Sequence, residues 1–182
     1  MRAEPNDASE QVTQALAGEP LTVEERRDGW ARIRTAYDYP GWIREDALAD
    51  APVREPWPGD LDRELLRAAR VYLGAPYEWG GMTERGIDCS GLVHMAYRRL
   101  GRLVPRDAHE QEAAATPIDE SEARPGDLVC VGEPGRAHHI GFWLGGGRIL
   151  HATGREGVGA VIEEPLERVG GGPVRFARLT SR

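Results

Sequence analysis

The second half of the chain changes from a helical to a strand-like sequence pattern, and this change constrains the fold most strongly. From residue 126 onward, apolar and polar residues alternate over short runs that glycines separate. These runs are "GDLVCVG", "HIGFWLG", "RILHAT", "GAVIEE" and "VRFARL". Alternation with a period of two indicates strands, and the short connections indicate antiparallel neighbours. Helices followed by consecutive strands predict an α+β fold with an antiparallel sheet, not alternating βαβ units.

The stretch before these strands has the spacing of helices. An apolar stripe over residues 65–73 predicts a first helix, with Asp60 as its N-cap and Gly74 at its C-terminal end. A second helix is predicted from about Cys89 to Leu100, where apolar residues again recur every three or four positions. A short third helix is predicted over residues 107–115. Helices therefore cover the sheet that follows.

The first 50 residues have a different pattern. "EPLTVEE", "WARIRTA" and "GWIRED" are short strand candidates separated by turn signals, which predicts a small β-barrel over residues 1–50. "DAPVREPWPGD" holds three prolines and predicts a linker over residues 51–59. The remaining residues, 60–182, form the second predicted domain.

Composition excludes several classes of partner. The formal net charge of −7 argues against nucleic acid and other polyanions as ligands. No apolar run approaches the roughly 20 residues that cross a bilayer, and the N-terminus has no apolar signal core, so neither a membrane nor export is expected. We expect a cytoplasmic protein, or a secreted or periplasmic one if the true start lies upstream of Met1. The pattern says nothing about oligomeric state.

The sequence "DCSGL" places Cys89 at the first turn of the second predicted helix. A helix N-terminus stabilises a thiolate, and its unpaired backbone N–H groups can face an oxyanion. The small residues Ser90 and Gly91 let a substrate approach the sulfur. Two other interpretations stay open at this point: a buried apolar cysteine, or a disulfide with Cys130.

A nucleophilic cysteine needs a base, and the chain has five histidines. His94 lies on the nucleophile's own helix, and His109 lies in a polar stretch expected to be exposed. On the hairpin "HIGFWLGGGRILHAT", a three-residue loop would place His139 and His151 on one face as diagonal neighbours, with His138 pointing away. Ordinary strand histidines or a zinc site are the alternatives, although no ligand spacing typical of zinc is present.

The motifs together resemble the NlpC-type family of papain-like cell-wall peptidases. The matching pieces are "YLGAPYEWGG", "IDCSGLV", "LVPRDAHEQ", "RPGDLVCV" and "HIGFWLGGGRILHA", which cover roughly residues 60–180 in family order. The resemblance implies that Cys89 is the nucleophile, His139 the base and His151 the orienting residue. It also implies that the Tyr77 hydroxyl lies near the nucleophile and that the Ser90 backbone lies near the oxyanion.

Residues 1–50 resemble a bacterial SH3-like domain whose first strand is short or missing. Its motifs are "RAEP", "ALAGEPLTV", "DGWARI" and "YPGWIRED". Such a domain ahead of an NlpC-type domain resembles the γ-D-glutamyl-L-diamino-acid endopeptidases. In members that require a free N-terminal L-alanine, the resemblance implies that Glu4, Tyr39 and Asp88 bind the amine. Ala108 stands where the family often has a hydroxyl, which removes one substrate hydrogen bond.

We therefore predict a cysteine peptidase that acts on murein peptides in cell-wall recycling or turnover, without cofactor or metal. Two alternatives differ in chemistry: an amidase or acyltransferase of the same fold, and a wall-binding protein without activity.

Overall fold

The computed structural model describes residues 1–50 and 65–179. The predicted linker over residues 51–59 and the predicted cap Asp60 lie outside these ranges. In the two described ranges, no helix has both the length and the apolar character that a membrane crossing requires.

The N-terminal segment (residues 1–50) holds a three-stranded antiparallel sheet. Its strands are β1 (Leu21–Arg27), β2 (Trp30–Thr35) and β3 (Pro40–Arg44), in that order. Asp28 and Gly29, both with positive φ, form the tight turn between β1 and β2. At the N-terminal edge Arg2 forms isolated bridges with Gln11 and Trp42. The predicted first strand is therefore reduced to bridges.

The C-terminal segment (residues 65–179) begins with helices. These elements are α1 (Leu65–Arg70), the short hairpin β4 (Met82–Thr83) and β5 (Gly86–Ile87), α2 (Cys89–Arg98) and α3 (Ala108–Ala114). All three predicted helices are present. The first ends at Arg70, three residues before the predicted end, because residues 71–74 form a turn that closes on the sheet through the Gly74 N–H and the Val161 carbonyl at 2.9 Å.

A six-stranded antiparallel sheet follows, which confirms the predicted α+β class. Its strands are β6 (Thr116–Ile118), β7 (Leu128–Glu133), β8 (Arg136–Gly145), β9 (Arg148–Thr153), β10 (Ala160–Pro165) and β11 (Val174–Arg178). Their order across the sheet is β10-β9-β8-β7-β11-β6. Strands β8 and β7 therefore lie at the centre of the sheet, where both faces are covered.

Alternation along the strands separates two cores. One face of β8, with Ile140 and Phe142, packs on α2 through Leu92 and Ala96. The opposite face carries Trp143, which packs edge-on against Phe176 at 5.2 Å between ring centroids. Each fully buried apolar side chain of this size stabilises the fold by about 1.5–3 kcal/mol, so α2 is held firmly on the sheet.

The N-terminal segment packs on α2 through buried polar and aromatic side chains. Arg98 forms an ion pair with Glu19 at 3.0 Å, and both side chains are fully buried. His94 packs edge-on against Tyr37, with ring centroids 4.4 Å apart. Burial lowers the pKa of His94 to about 3, so this ring is neutral in the folded protein. The two segments therefore share a buried contact on the helix that begins with Cys89.

Candidate active site

Cys89 is the first residue of α2, and its side chain is almost wholly buried. Asp88 is the N-cap, and its carboxylate accepts a hydrogen bond from the Gly91 N–H at 2.6 Å. The first-turn N–H groups of Cys89 and Ser90 have no carbonyl of the same helix within reach. The backbone N–H groups of Ile140 and Ser90 lie near enough to the thiol to lower its pKa. The sulfur therefore lies against β8, one residue from His139.

The protonation state of Cys89 differs from the sequence-based expectation of a stabilised thiolate. Burial and, to a smaller extent, the negative charge of Asp88 together raise the pKa of the thiol to about 11. The N–H groups of Ser90 and Ile140 oppose this but do not outweigh it. The helix start is where the pattern predicted, but its cap is a carboxylate, which offsets the positive end of the helix.

Asp88 is held by Arg106, a residue that the sequence motifs had not singled out. The two guanidinium N–H groups lie 3.0 and 2.8 Å from the two carboxylate oxygens, and Arg106 is 1% exposed. The same carboxylate accepts the Gly80 N–H at 2.7 Å. Arg106 also donates to the Ser90 hydroxyl at 2.9 Å. The amine-binding role of Asp88 stays a prediction. In the structure its carboxylate caps α2 and binds Arg106.

His139 and His151 meet on one face of the sheet. The His139 Nε2 and the His151 Nδ1 are 2.7 Å apart, with the rings nearly perpendicular. A Cβ at Gly141 would lie 2.8 Å from the His151 Cβ, so only glycine leaves room between the two rings. The sequence placed these three residues together.

The β8–β9 hairpin has the predicted register at the histidines, but its turn is shorter than the predicted three-residue loop. Gly145, not Leu144, pairs with Arg148, and the register shifts by one residue between Trp143 and Gly145. Phe142 pairs with Leu150 as the prediction required. A bulge at Leu144 therefore compensates for the shorter turn and keeps both histidines on one face.

Behind His151 lie two residues that the sequence reasoning missed. The His151 Nε2 is 2.9 Å from the Glu164 Oε1, and Arg155 holds both oxygens of Glu164 at 2.9 and 2.6 Å. Glu164 is only 4% exposed. The sequence could not place Glu164 beside His151, because β10 follows a six-residue loop, 154–159. The length of that loop does not fix the register between β10 and β9.

Burial decides the charge state of the histidine pair. Burial and, to a smaller extent, the neighbouring His151 and His138 lower the pKa of His139 to about 3. Burial also lowers the pKa of His151, while Glu164 opposes that effect. Both imidazoles are therefore neutral near pH 7, and His139 is able to accept a proton.

Tyr77 lies half-buried near Cys89. Its N–H donates to the Gly159 carbonyl at 2.8 Å, and a Cβ at Gly154 would lie 3.0 Å from its ring. Burial raises the pKa of Tyr77 to about 12, and charge on Cys89 and Asp88 contributes. The hydroxyl is therefore a neutral donor near the thiol, and its catalytic role stays a prediction.

Glu4 and Tyr39 line one cavity of about 500 Å³, together with Trp42 and Glu110. The Tyr39 hydroxyl donates to the Asp107 carboxylate at 3.1 Å. Asp88 does not line this cavity, although Arg106, its partner, is the neighbour of Asp107. The structure thus brings Glu4 and Tyr39 together in one cavity, whereas Asp88, the third predicted amine-binding residue, does not line it.

The other candidates lie outside the site. Cys130 is buried in the core between the sheet and α2, and both cysteines are free thiols. His109 and His138 are exposed, and His94 faces Tyr37. Ala108 begins α3 and is buried.

Comparison with known proteins gives two family matches. Residues 74–168 match the model of the NlpC/P60 family. Residues 1–48 match the bacterial dipeptidyl-peptidase Sh3 domain.

Three relatives illustrate the similarity. A γ-D-glutamyl-L-lysine dipeptidyl-peptidase of Bacillus subtilis is 35% identical over 92 residues, which is 49% of this chain and 31% of that protein. The peptidoglycan hydrolase RipB of Mycobacterium tuberculosis superposes with a TM-score of 0.56 at 31% identity, over 65% of this chain and 64% of that one. An NlpC/P60 family protein from Bacillus cereus gives a TM-score of 0.58 at 25% identity, over 87% and 52%. The chain spans about a third to a half of the length of the curated relatives it matches.

Proposed function

Since this chain belongs to the NlpC/P60 family of cysteine peptidases, we propose that it hydrolyses the bond between D-glutamate, through its γ-carboxyl, and the L-diamino acid of murein peptides. One observation carries the proposal. Cys89 begins a buried helix and lies against the strand that supplies His139, whose Nε2 is bound by His151. This arrangement provides a nucleophile, a neutral base and an orienting group in one place.

The reaction follows from these positions. His139 accepts the proton of the Cys89 thiol through its remaining ring nitrogen, Nδ1, and the sulfur attacks the γ-carbonyl carbon of D-glutamate. The first-turn N–H groups at Cys89 and Ser90 stabilise the oxyanion. When the tetrahedral intermediate collapses, the C–N bond breaks and His139 protonates the leaving amine. A water molecule, deprotonated by His139, then hydrolyses the thioester and frees the γ-carboxylate.

The choice of substrate rests on the N-terminal segment. It is similar to the Sh3 domain of bacterial dipeptidyl-peptidases, and it contributes Glu4 and Tyr39 to a cavity with several acidic groups. An ammonium group favours carboxylates and a phenol oxygen in a partly desolvated pocket. We propose that this cavity accepts the free amine of an N-terminal L-alanine. A cytoplasmic recycling role is a further proposal that rests on the sequence alone.

The direct test uses L-Ala-γ-D-Glu-L-Lys and its diaminopimelate counterpart, with products identified by mass spectrometry. We expect L-Ala-D-Glu and the free diamino acid from the wild-type protein. Cys89→Ala should lose at least about 10⁴-fold in kcat because the covalent step has no nucleophile. Cys130→Ala removes the other thiol and should retain activity. Cleavage by Cys89→Ala at the wild-type rate would exclude this function.

A second experiment separates the proposed substrate from other amides. The same peptide with an acetylated L-alanine amine should lose at least about tenfold in kcat/KM, because a buried polar contact is lost. Equal rates for both peptides would remove the amine-binding role of Glu4, Tyr39 and Asp88. Such a result would favour an amidase or acyltransferase of the same fold.

A further inference from the structure

We propose that Glu164 is a positioning residue that acts through His151 to fix the tautomer of His139, leaving one ring nitrogen of His139 free to accept the Cys89 proton. The role of His139 as base rests on the proposed function. Which ring nitrogens of His151 and His139 carry a proton does not depend on the proposed function, and it can be measured separately.

The first step is the state of Glu164. Arg155 donates to both of its oxygens, and this pair holds the pKa of the Glu164 carboxyl below its usual range. Glu164 is therefore ionised near pH 7. An ionised carboxylate only accepts hydrogen bonds, so the His151 nitrogen facing it must carry the proton.

The second step follows the proton order toward Cys89. The His151 Nε2 faces Glu164 at 2.9 Å and carries its proton. A neutral imidazole has one proton, so the His151 Nδ1 is an acceptor. It faces the His139 Nε2 at 2.7 Å, and that nitrogen must therefore be the donor. The His139 Nδ1 then holds a lone pair, which is the state that a base requires.

The alternative proton order would disable the base. If the His151 Nδ1 carried its proton, the His139 Nε2 would have to accept it. The single proton of His139 would then be on Nδ1, and no lone pair would remain for the thiol. Because Glu164 cannot donate, its charge excludes this order.

Strand register explains why Glu164, and not its neighbour, has this role. Ile162 pairs with His151, so Glu164 is a diagonal neighbour of His151 on the same face of the sheet. Glu163 points to the other face and binds Arg70 at 2.7 Å. Glu163 and Glu164 therefore differ in direction and not in residue type, which provides a matched control.

Glu164→Gln is the informative substitution. Glutamine keeps the volume and can accept from the His151 Nε2, but its amide can also donate to that nitrogen. The variant thus permits both proton orders where the wild-type permits one. Glu163→Gln makes the same change of charge on the opposite face.

The experiment combines nitrogen-15 NMR of the imidazole rings with kinetics. Long-range proton–nitrogen correlations distinguish a protonated from an unprotonated ring nitrogen. In the wild-type protein and in Glu163→Gln we expect the protons on Nε2 of both His139 and His151. In Glu164→Gln we expect a second tautomer, with kcat lower by about 10- to 100-fold and KM changed less than about twofold.

Several results would overturn the proposal. One is a wild-type His151 that carries its proton on Nδ1. Another is a Glu164→Gln variant that keeps the wild-type tautomers, whatever its activity. A third is a changed tautomer with unchanged kcat. If the wild-type protein cleaves no murein peptide, the proposed function fails. The tautomers of the wild-type and Glu164→Gln proteins then still show whether Glu164 fixes the proton positions of His151 and His139.

Discussion

At Cys89, two effects on the thiol oppose each other, and their sizes show which one prevails. The positive end of a helix favours an anion by typically 0.3–1 kcal/mol, or about 2 kcal/mol when partly buried. Raising the thiol pKa from 9.0 to about 11 corresponds to about 3 kcal/mol against the thiolate. Burial and the adjacent Asp88 carboxylate therefore prevail in the free protein. We expect the resting site to hold a neutral thiol beside a neutral imidazole.

The first prediction concerns this resting state. Between pH 5 and pH 9, the ultraviolet absorbance difference between Cys130→Ala and the double variant Cys89→Ala/Cys130→Ala should show no thiolate. The thiol keeps its proton at every pH well below its pKa of about 11. Only about one molecule in 10⁴ would therefore be ionised at pH 7. Thiolate absorbance that is already present at pH 6 would instead indicate a thiolate–imidazolium pair.

The sequence motifs name the candidate catalytic residues, whose roles stay predictions, but they did not single out the charged residues that contact them only in the folded chain. Cys89, His139 and His151 belong to motifs and could be named from them. Arg106 and Glu164 act through charge partners that lie 18 and 9 residues away in the chain, Asp88 and Arg155. Such pairs depend on strand register and loop path, which a single sequence does not specify.

At the scale of elements, the β8–β9 hairpin determines whether the two histidines meet. A strand that slips by one residue turns every side chain to the other face. The bulge between Trp143 and Gly145 prevents this, because it compensates for a turn that is one residue shorter than predicted. Gly141 then allows the close approach of His151.

The second prediction tests this close approach. In Gly141→Ala the new Cβ would lie 2.7 Å from the Leu150 carbonyl oxygen, so β8 and β9 must separate next to the histidine pair. We expect kcat to fall by about 100-fold and the free energy of unfolding to fall by about 1–3 kcal/mol. Peptide hydrolysis and urea denaturation measure the two effects.

Gly170→Ala is the control for this variant, because a Cβ at Gly170 meets no atom within 4 Å. It should change stability by less than about 0.5 kcal/mol and leave kcat unchanged. If Gly141→Ala behaved like Gly170→Ala, the spacing of the strands at His151 would have no role in the reaction.

The predicted elements were correct where the pattern was long enough to have a period. Strands β7 to β11 and helices α2 and α3 each extend over five or more residues. The hairpin β4–β5 and strand β6 were missed because two or three residues show no alternation. Tertiary contacts, not local preference, hold these short pieces in place.

At the scale of the whole molecule, the two segments are joined by a charged pair that water does not reach. Glu19 and Arg98 are both fully buried, in contrast to Arg26 and Glu45 on the surface of the N-terminal sheet. Breaking a buried ion pair from one side leaves a desolvated charge, whereas an exposed pair contributes little.

The third prediction uses this contrast. Glu19→Ala should lower the free energy of unfolding by about 3–5 kcal/mol, because the carboxylate of a buried pair is removed. Glu45→Ala, which removes the carboxylate of an exposed pair, should cost less than about 1 kcal/mol. Adding Arg98→Met to Glu19→Ala should recover stability, since it removes the remaining buried charge. Urea denaturation measures all three, and equal losses for Glu19→Ala and Glu45→Ala would contradict the expectation.

Arg106 has a consequence for attempts to recombine these segments as interchangeable modules. One guanidinium binds the Thr13 hydroxyl of the N-terminal segment at 2.9 Å and the Asp88 carboxylate that caps α2. A chimera that replaces the N-terminal segment would therefore alter the anchoring of α2, the helix that begins with Cys89, even with every residue of the C-terminal segment intact. Successful grafts will need to transplant Thr13, Glu19 and their partners as one unit.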